Sequence, residues 1–295
     1  MTDATGGTDE TPPGPDAVRA RAESRFESPV STLAELDGGE VGTVYRVDFA
    51  DRDPVAAKVG NTSLTVEAEM LRYLSEESPL PVPEVYEASD DLLFMAYVEG
   101  DGRVTPSVER DAADHLAALH GVTADRCGFP FDTLSGAFAL PNPWTDSWVA
   151  FFREHRLLDC ADACVAEGKL PADDRERVGD LAADLDSLLT EPDAPALVHG
   201  DVWRGNVVVR DGAVRAFIDP AIYYGHPEVE LAYVALFGSF GDAFWDRYDE
   251  RRGIGEGFFE TRAAVYGVHP LLEHVRHFGD AYLPRLRGTL DELGY

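Results

Sequence analysis

The stretch LVHGDVWRGN, Leu197 to Asn206, ends an apolar run in Asp201, a bulky Trp203 and Asn206; a further carboxylate, Asp219, follows the apolar AFI. One carboxylate placed this way can orient an attacking hydroxyl and accept its proton. An amide and a second carboxylate offer oxygens to a hard divalent cation. Far upstream, Lys58 interrupts the apolar PVAAKVG, and Glu67 stands in TSLTVEAEMLRYL. A lysine held by a glutamate keeps a positive charge in place for phosphate oxygens. These are the parts that phosphoryl transfer needs, because its catalysis is mainly positioning and neutralisation of charge.

Each part alone has a plainer reading. His199-Gly200-Asp201 by itself is a turn capped by Asp, and Lys58 by itself snorkels from the end of a strand. The ordered set is far more specific: a glycine turn, Lys58, Glu67, Asp201 with Asn206 at Asp-x-x-x-x-Asn spacing, then Asp219. That spacing is the one found in kinase catalytic loops, with the metal-binding Asp following.

The elements that must position this set can be read in order. DAVRARAESRF predicts a short helix. LAELDGGEVGTVYRVDF predicts a strand, a turn at Asp37-Gly38-Gly39-Glu40 and a returning strand. Gly38 and Gly39 either close a hairpin or lay bare backbone over phosphates. A strand carries Lys58, a helix carries Glu67, and strands follow at 85–88 and 92–98. This small antiparallel α+β lobe ends at the Glu99-Gly100-Asp101-Gly102 linker. Beyond it SVERDAADHLAALHGV, WTDSWVAFFREHRLLDCADACVAEGK and PADDRERVGDLAADLDSLLTEP have helical periodicity. ALVHGD reads as a strand running into a loop. NVVVRDGAVRAFIDP reads as a hairpin turning at Asp211-Gly212, which brings Asp201, Asn206 and Asp219 to one rim. The rest is helical. The expected fold is therefore α+β and bilobal: a disordered acidic tail over 1–15, an ATP-binding lobe over 16–99 and a mainly helical catalytic lobe over 100–295.

Composition narrows the partners. In 295 residues, 55 acidic against 25 basic side chains leave a net charge of −30, and only Lys58 and Lys169 are lysines. Nucleic acid, a polyanion gripped through Lys and Arg, is not an expected partner. Diffuse acidity with so few lysines points to a salt-rich, halophilic cytoplasm. No stretch reaches the roughly 18 continuous apolar residues of a membrane span, and the N-terminus lacks the basic and apolar regions of a signal peptide, so a cytoplasmic, membrane-free protein is expected. Cys127, Cys160 and Cys164 have no zinc-like spacing with His and read as buried thiols.

VHGDVWRGN followed by IDPAIYYGHPEVELAYVALFGSF resembles the fructosamine kinase (ketosamine-3-kinase) family of the aminoglycoside phosphotransferase-like, protein-kinase-like fold. The likeness runs from about Ser28 to the C-terminus and includes GFPFDTLSG, SWVAFFREHRL and HPLLEHVRHFGDAYL. It implies an ATP- and Mg²⁺-dependent transfer of the γ-phosphate to the 3-hydroxyl of a ketosamine, free or on a glycated protein lysine, after which the adduct falls apart. It also implies that Asp201 is the base, Asn206 and Asp219 the Mg²⁺ ligands, and Lys58 and Glu67 the phosphate-binding pair. Met95, Ala96, Tyr97 and Val98 would form the hinge that pairs with adenine. His199 would brace the loop, and Glu228 and Glu230 would tie the following helix. Trp203, Tyr224 and His226 either shape the sugar site or pack beneath it. The chain departs from the family at Ala139 and Leu140, where Pro and Gln are usual before Asn142 and Trp144, and at Pro227; the first departure bears on the identity of the sugar. Another hydroxyl acceptor for the same fold, or a silent nucleotide-binding module, are the competing readings. A monomer is the expected state.

Overall fold

The structure, a computed structural model, describes residues 12–36 and 42–295. The expected glycine turn with Gly38 and Gly39, and the tail up to residue 11, lie outside the described residues.

Helix α1 (Pro15–Phe26) leads into strands β1 (Val30–Leu36), β2 (Thr43–Phe49) and β3 (Val55–Val59), helix α2 (Leu64–Glu77), and strands β4 (Val85–Ala88) and β5 (Leu92–Ala96). The five strands form one antiparallel sheet in the order β1-β2-β3-β5-β4. Side chains on a strand alternate between faces. On β3, Val55, Ala57 and Val59 pack with Val18 and Ala22 of α1, whereas Ala56 packs with Leu64, Ala68 and Leu71 of α2. Lys58 shares the parity of Ala56 and faces α2. On that helix Leu64, Glu67, Ala68 and Leu71 form one buried stripe, the i, i+3, i+4, i+7 pattern of an amphipathic face. Period two on the strand and period 3.6 on the helix thus bring Lys58 and Glu67 together. Strand β5 stops at Ala96, two residues short of the expected end, because its neighbour β3 begins at Val55, opposite Ala96, just after Pro54, which has no N–H to give.

The segment expected to be a linker is fastened down. Asp101 N donates to Val209 O at 2.8 Å, and Glu99 pairs with Arg210. Then follow α3 (Pro106–Leu119), a small hairpin of β6 (Thr133–Ser135) and β7 (Phe138–Leu140), and a long helical stretch. This stretch comprises α4 (Trp148–Phe151), a π-helical segment (Phe152–Leu158) and α5 (Asp159–Ala166). After α6 (Ala172–Leu188) come β8 (Ala196–Val198), β9 (Val207–Arg210), β10 (Ala213–Phe217) and β11 (Tyr223–Gly225). Helices α7 (Glu228–Phe237), α8 (Asp242–Arg252), α9 (Ala263–Phe278) and α10 (Leu283–Leu293) complete the chain. A second, larger core fills this helical part around Trp148, Phe151, Phe152, Phe244 and Tyr266. Cys127 and Cys164 are buried and Cys160 is partly buried. No helix among the described residues is long and apolar enough to cross a membrane.

The β6–β7 hairpin and the β8–β11 pair escape sequence reading, since three residues are too few to show alternation. The π-helical segment also does: it holds Arg156 fully buried between the rings of Phe151 and Tyr223, at 4.5 and 4.1 Å from their centroids.

Candidate active site

Two strand pairs present the polar loop. β9 and β10 form the expected hairpin, and β8 pairs antiparallel with β11. The chain between β8 and β9 and the chain between β10 and β11 therefore lie side by side. Ala221 N donates to His199 O at 2.7 Å, and Ile218 N donates to Asn206 O at 3.0 Å. Asp201, Asn206 and Asp219 do meet at one rim.

Backbone conformation holds them there. Gly200 has φ +85°, and a Cβ would stand 2.3 Å from Ala221 O; only glycine fits. At Gly205 a Cβ would strike the indole of Trp203 at 2.4 Å, so the absent side chain lets the Trp203 ring lie flat on the loop. Asp219 adopts φ +54° without being glycine, a strained conformation of the kind concentrated at functional sites.

Glu230, fully buried on α7, braces the loop from behind: its carboxylate accepts from His199 N at 3.2 Å and Gly200 N at 2.8 Å. It is bonded in turn to His120 Nε2 at 2.9 Å. Burial pushes the Glu230 carboxyl up, but His120, His199 and the Gly200 amide outweigh it and hold it below its usual range. His199 is buried beside it, and burial pulls its imidazole down, in keeping with a bracing residue.

Lys58 Nζ donates to both oxygens of Glu67, at 2.9 and 2.7 Å, and to Asp219 Oδ1 at 2.7 Å. Burial lowers the lysine, yet the two carboxylates more than offset this and raise it above its ordinary value. Asn206 Nδ2 donates to Asp201 Oδ2 at 2.8 Å and to Asp201 O at 3.0 Å. The Asp201 carboxyl is pushed up to about 7, chiefly by burial and further by Glu273 and Asp219, while hydrogen bonds from Tyr233 and Asn206 pull the other way. Such a value suits a general base at neutral pH.

These groups line one cavity of about 220 Å³. Trp203 lines it too, but Tyr224 and His226 do not. Tyr224 is buried, its hydroxyl 2.9 Å from that of Tyr73 and its ring stacked near Phe129 and Trp144. His226 lies between Trp148 and Tyr266, and its Nδ1 accepts from Glu228 N at 3.1 Å. Both join the packing beneath the loop because β11 turns its residues toward β8 and the helices. Met95 to Val98 end the β5 edge and do not line this cavity. Met95 is buried, Ala96 N donates to Glu84 O at 2.8 Å, and Tyr97 sits under the Arg46 guanidinium.

The far wall was not foreseen. It consists of Tyr233 and Phe237 from α7, Glu273 and His277 from α9, and the β6–β7 turn at Leu134 to Gly136. The signal was present as two i, i+4 pairs of polar or aromatic residues in YVALF and EHVRH, which helical periodicity puts on one face. Leu140, one of the family departures, is buried on β7 and, like Ala139, does not line this cavity. Asn142 is a buried brace that donates to Thr133 Oγ1 at 2.8 Å and accepts from Arg156 Nη2 at 2.5 Å.

Asn206 and Asp219 suit a hard cation such as Mg²⁺: both offer oxygen donors at the cavity, and the Asp219 side chain is 42% exposed. Among the described residues no group of three or more His, Cys, Asp or Glu side chains is arranged to hold a metal.

The chain is similar along most of its length to several known proteins. A mouse protein named ketosamine-3-kinase is 34% identical over 90% of this chain and 82% of its own. A Synechocystis protein named as a probable ketoamine kinase is 35% identical over 72% of this chain and 71% of its own. A crystal structure from Thermobifida fusca, assigned to fructosamine-3-kinase, superposes with a TM-score of 0.85 at 31% identity and covers 95% of this chain and 99% of that one. An aminoglycoside phosphotransferase solved with AMP-PNP and hygromycin B shares the fold, with a TM-score of 0.66 at 16% identity over 94% of this chain and 96% of its own. The fructosamine kinase family model matches residues 17–294. With a kinase-like fold and a match along nearly its whole length, this chain belongs to the fructosamine kinase family.

Proposed function

We propose that the protein transfers the γ-phosphate of ATP to the 3-hydroxyl of a ketosamine, a sugar–amine adduct that is free or carried on a protein lysine. The observation that carries this reading is the single cavity in which Asp201, poised near neutrality, faces the Lys58–Glu67–Asp219 cluster.

In this reading Asp201 orients the acceptor hydroxyl and takes its proton as the oxygen attacks phosphorus. Its carboxylate is already aimed by Asn206, and the raised value places it where a base is most effective. Lys58, anchored by Glu67, steadies the phosphate oxygens. Asn206, whose amide nitrogen is spent on Asp201, offers its carbonyl oxygen, and Asp219 its carboxylate, to Mg²⁺. When bound, the ion neutralises the charge that develops on the phosphates. The Met95 to Val98 edge is assigned to adenine through its backbone. The rings of Tyr233 and Phe237 on the far wall exclude water while remote contacts hold the sugar in line.

The test is ADP release from Mg-ATP at high salt. Ribulose- and fructose-derived lysine adducts are compared with free sugars and an aminoglycoside, and Asp201→Asn serves as the blank. Turnover confined to the adducts supports the reading; turnover on another acceptor alone, or none above the blank, overturns it.

A further inference from the structure

The charged side chains lining the cavity among the described residues are Lys58, Glu67, Asp201, Asp219 and Glu273, so carboxylates outnumber the one lysine. Lys58 is already held between Glu67 and Asp219. Asp201 and Asp219 have roles in phosphate transfer. Glu273, on the opposite wall, has none.

No Lys or Arg among the described residues forms an ion pair with Glu273. Its basic neighbour is His269, one turn earlier on α9, with Nδ1 3.6 Å away. Burial holds that imidazole well below its ordinary value, and Arg156 nearby depresses it further, so it brings no charge at neutral pH. Arg156 is engaged elsewhere: its guanidinium donates to Pro141 O at 2.9 Å and to Asn142, between two aromatic rings. His274 Nδ1 lies 2.7 Å from Pro270 O. His277 lies against Phe138, its imidazole lowered mainly by burial. A hydrogen bond from Ser135 and the nearby Arg156, His274 and His277 pull the Glu273 carboxyl down, but burial wins and raises it. A largely buried acid that faces a cavity and has no Lys or Arg ion-paired to it is a site for a cation brought by the ligand. Phe237, Phe278 and Tyr282 line the same cavity, with their rings gathered around His274, the residue after Glu273, and ring faces also attract cations.

We infer that Glu273 is the anchor for the protonated amine of the acceptor, and that this contact selects sugar–amine adducts over free sugars. The inference rests on the ketosamine reading and names the group that recognises its nitrogen. The amine of a ketosamine lies only a few bonds from the 3-hydroxyl. One small molecule can thus span from Glu273 to Asp201, which line the same cavity of about 220 Å³. The negative charge of Glu273 on the acceptor side is complementary to a cation.

The test measures binding and turnover separately. Titration calorimetry, at fixed salt and with AMP-PNP present, compares a fructose-derived lysine adduct, its N-acetylated and therefore uncharged counterpart, and fructose. The wild-type protein should bind the charged adduct about tenfold or more tightly than the acetylated one, as a charge-assisted hydrogen bond implies. Equal affinity overturns the inference without any variant. Glu273→Gln should lower affinity for the charged adduct about 10- to 100-fold and affinity for fructose far less, with Glu273→Asp recovering part of the loss. A loss equal for all three probes, or none, overturns it. ADP release is followed in parallel. An adduct that binds selectively through Glu273 but is not phosphorylated sinks the kinase reading and leaves the anchor standing. Phosphorylation with no preference for charge does the reverse.

Discussion

Lys58 Nζ and Asp219 Oδ1 lie 2.7 Å apart although 161 residues separate them in the chain. This contact joins the sheet of the smaller lobe to the loop of the larger, and Glu67 holds its other side. Replacing Lys58 by Met removes the cation and leaves Glu67 buried without its partner. The expected result is a stability loss of about 3–5 kcal/mol together with a raised KM for ATP. Adding Glu67→Leu should restore much of the stability and none of the activity, as read by denaturant titration and ADP release on the same samples.

Asp201→Asn should lower kcat by about 10² to 10⁴, the range for loss of a positioned general base. AMP-PNP affinity should stay near the wild-type value, because the loop retains its bonds from Glu230. A variant that keeps full turnover would remove Asp201 from the chemistry.

Asp201 also shapes stability against pH. Its carboxyl titrates near 7 in the folded protein, against an ordinary value of 3.8. Between those values the folded state holds a proton that the unfolded chain has released. The stabilising contribution is therefore complete below about pH 4, declines as pH rises, and is fully lost above about pH 7. Without nucleotide or metal, Asp201→Asn should raise Tm, and the gain over wild type should widen between about pH 5 and pH 8. A constant difference across that interval would refute the assignment.

Gly200→Ala should be severe. The left-handed φ of +85° and the 2.3 Å approach to Ala221 O mean that the loop must shift away from β11. Straining a non-glycine residue there costs about 1–3 kcal/mol before the clash is counted. Activity should fall more than stability, because Asp201 is the next residue. Circular dichroism melting and turnover measured together would show this.

With a net charge of −30, self-repulsion opposes both the folded chain and its binding of an anionic nucleotide. Lowering KCl from about 2 M to about 0.1 M lengthens the screening distance and should lower both Tm and AMP-PNP affinity. Affinity that stays constant or rises on dilution of the salt would contradict this.

Much of the fold was legible because the signals were local. The Asp211-Gly212 turn predicted the β9–β10 hairpin, and period 3.6 predicted α2, α3 and α6. The pairing of Lys58 with Glu67 was expected from their order in the kinase-like set; the parity of β3 and the buried stripe of α2 explain it. The short pairings β6–β7 and β8–β11 carried no such pattern. Their strands are defined by partners distant in sequence, as when Tyr224 pairs with Leu197. That pairing is also why Tyr224 and His226, near Asp219 in sequence, are packed beneath the loop while Trp203 lines the cavity.

By itself the sequence determined which chemical groups exist and their order: one lysine in a strand, one glutamate on a helical stripe, and Asp201, Asn206 and Asp219 flanking a hairpin. Local periodicity and turn preferences act over a few residues, so a single chain displays them. Only the tertiary structure decided what stands opposite Asp201. The far wall of Tyr233, Glu273 and His277 comes from helices α7 and α9, and its electrostatics depend on burial. Burial is a property of the packed whole; it raises the Glu273 carboxyl and moves Asp201 toward neutrality, and no stretch of sequence carries that information.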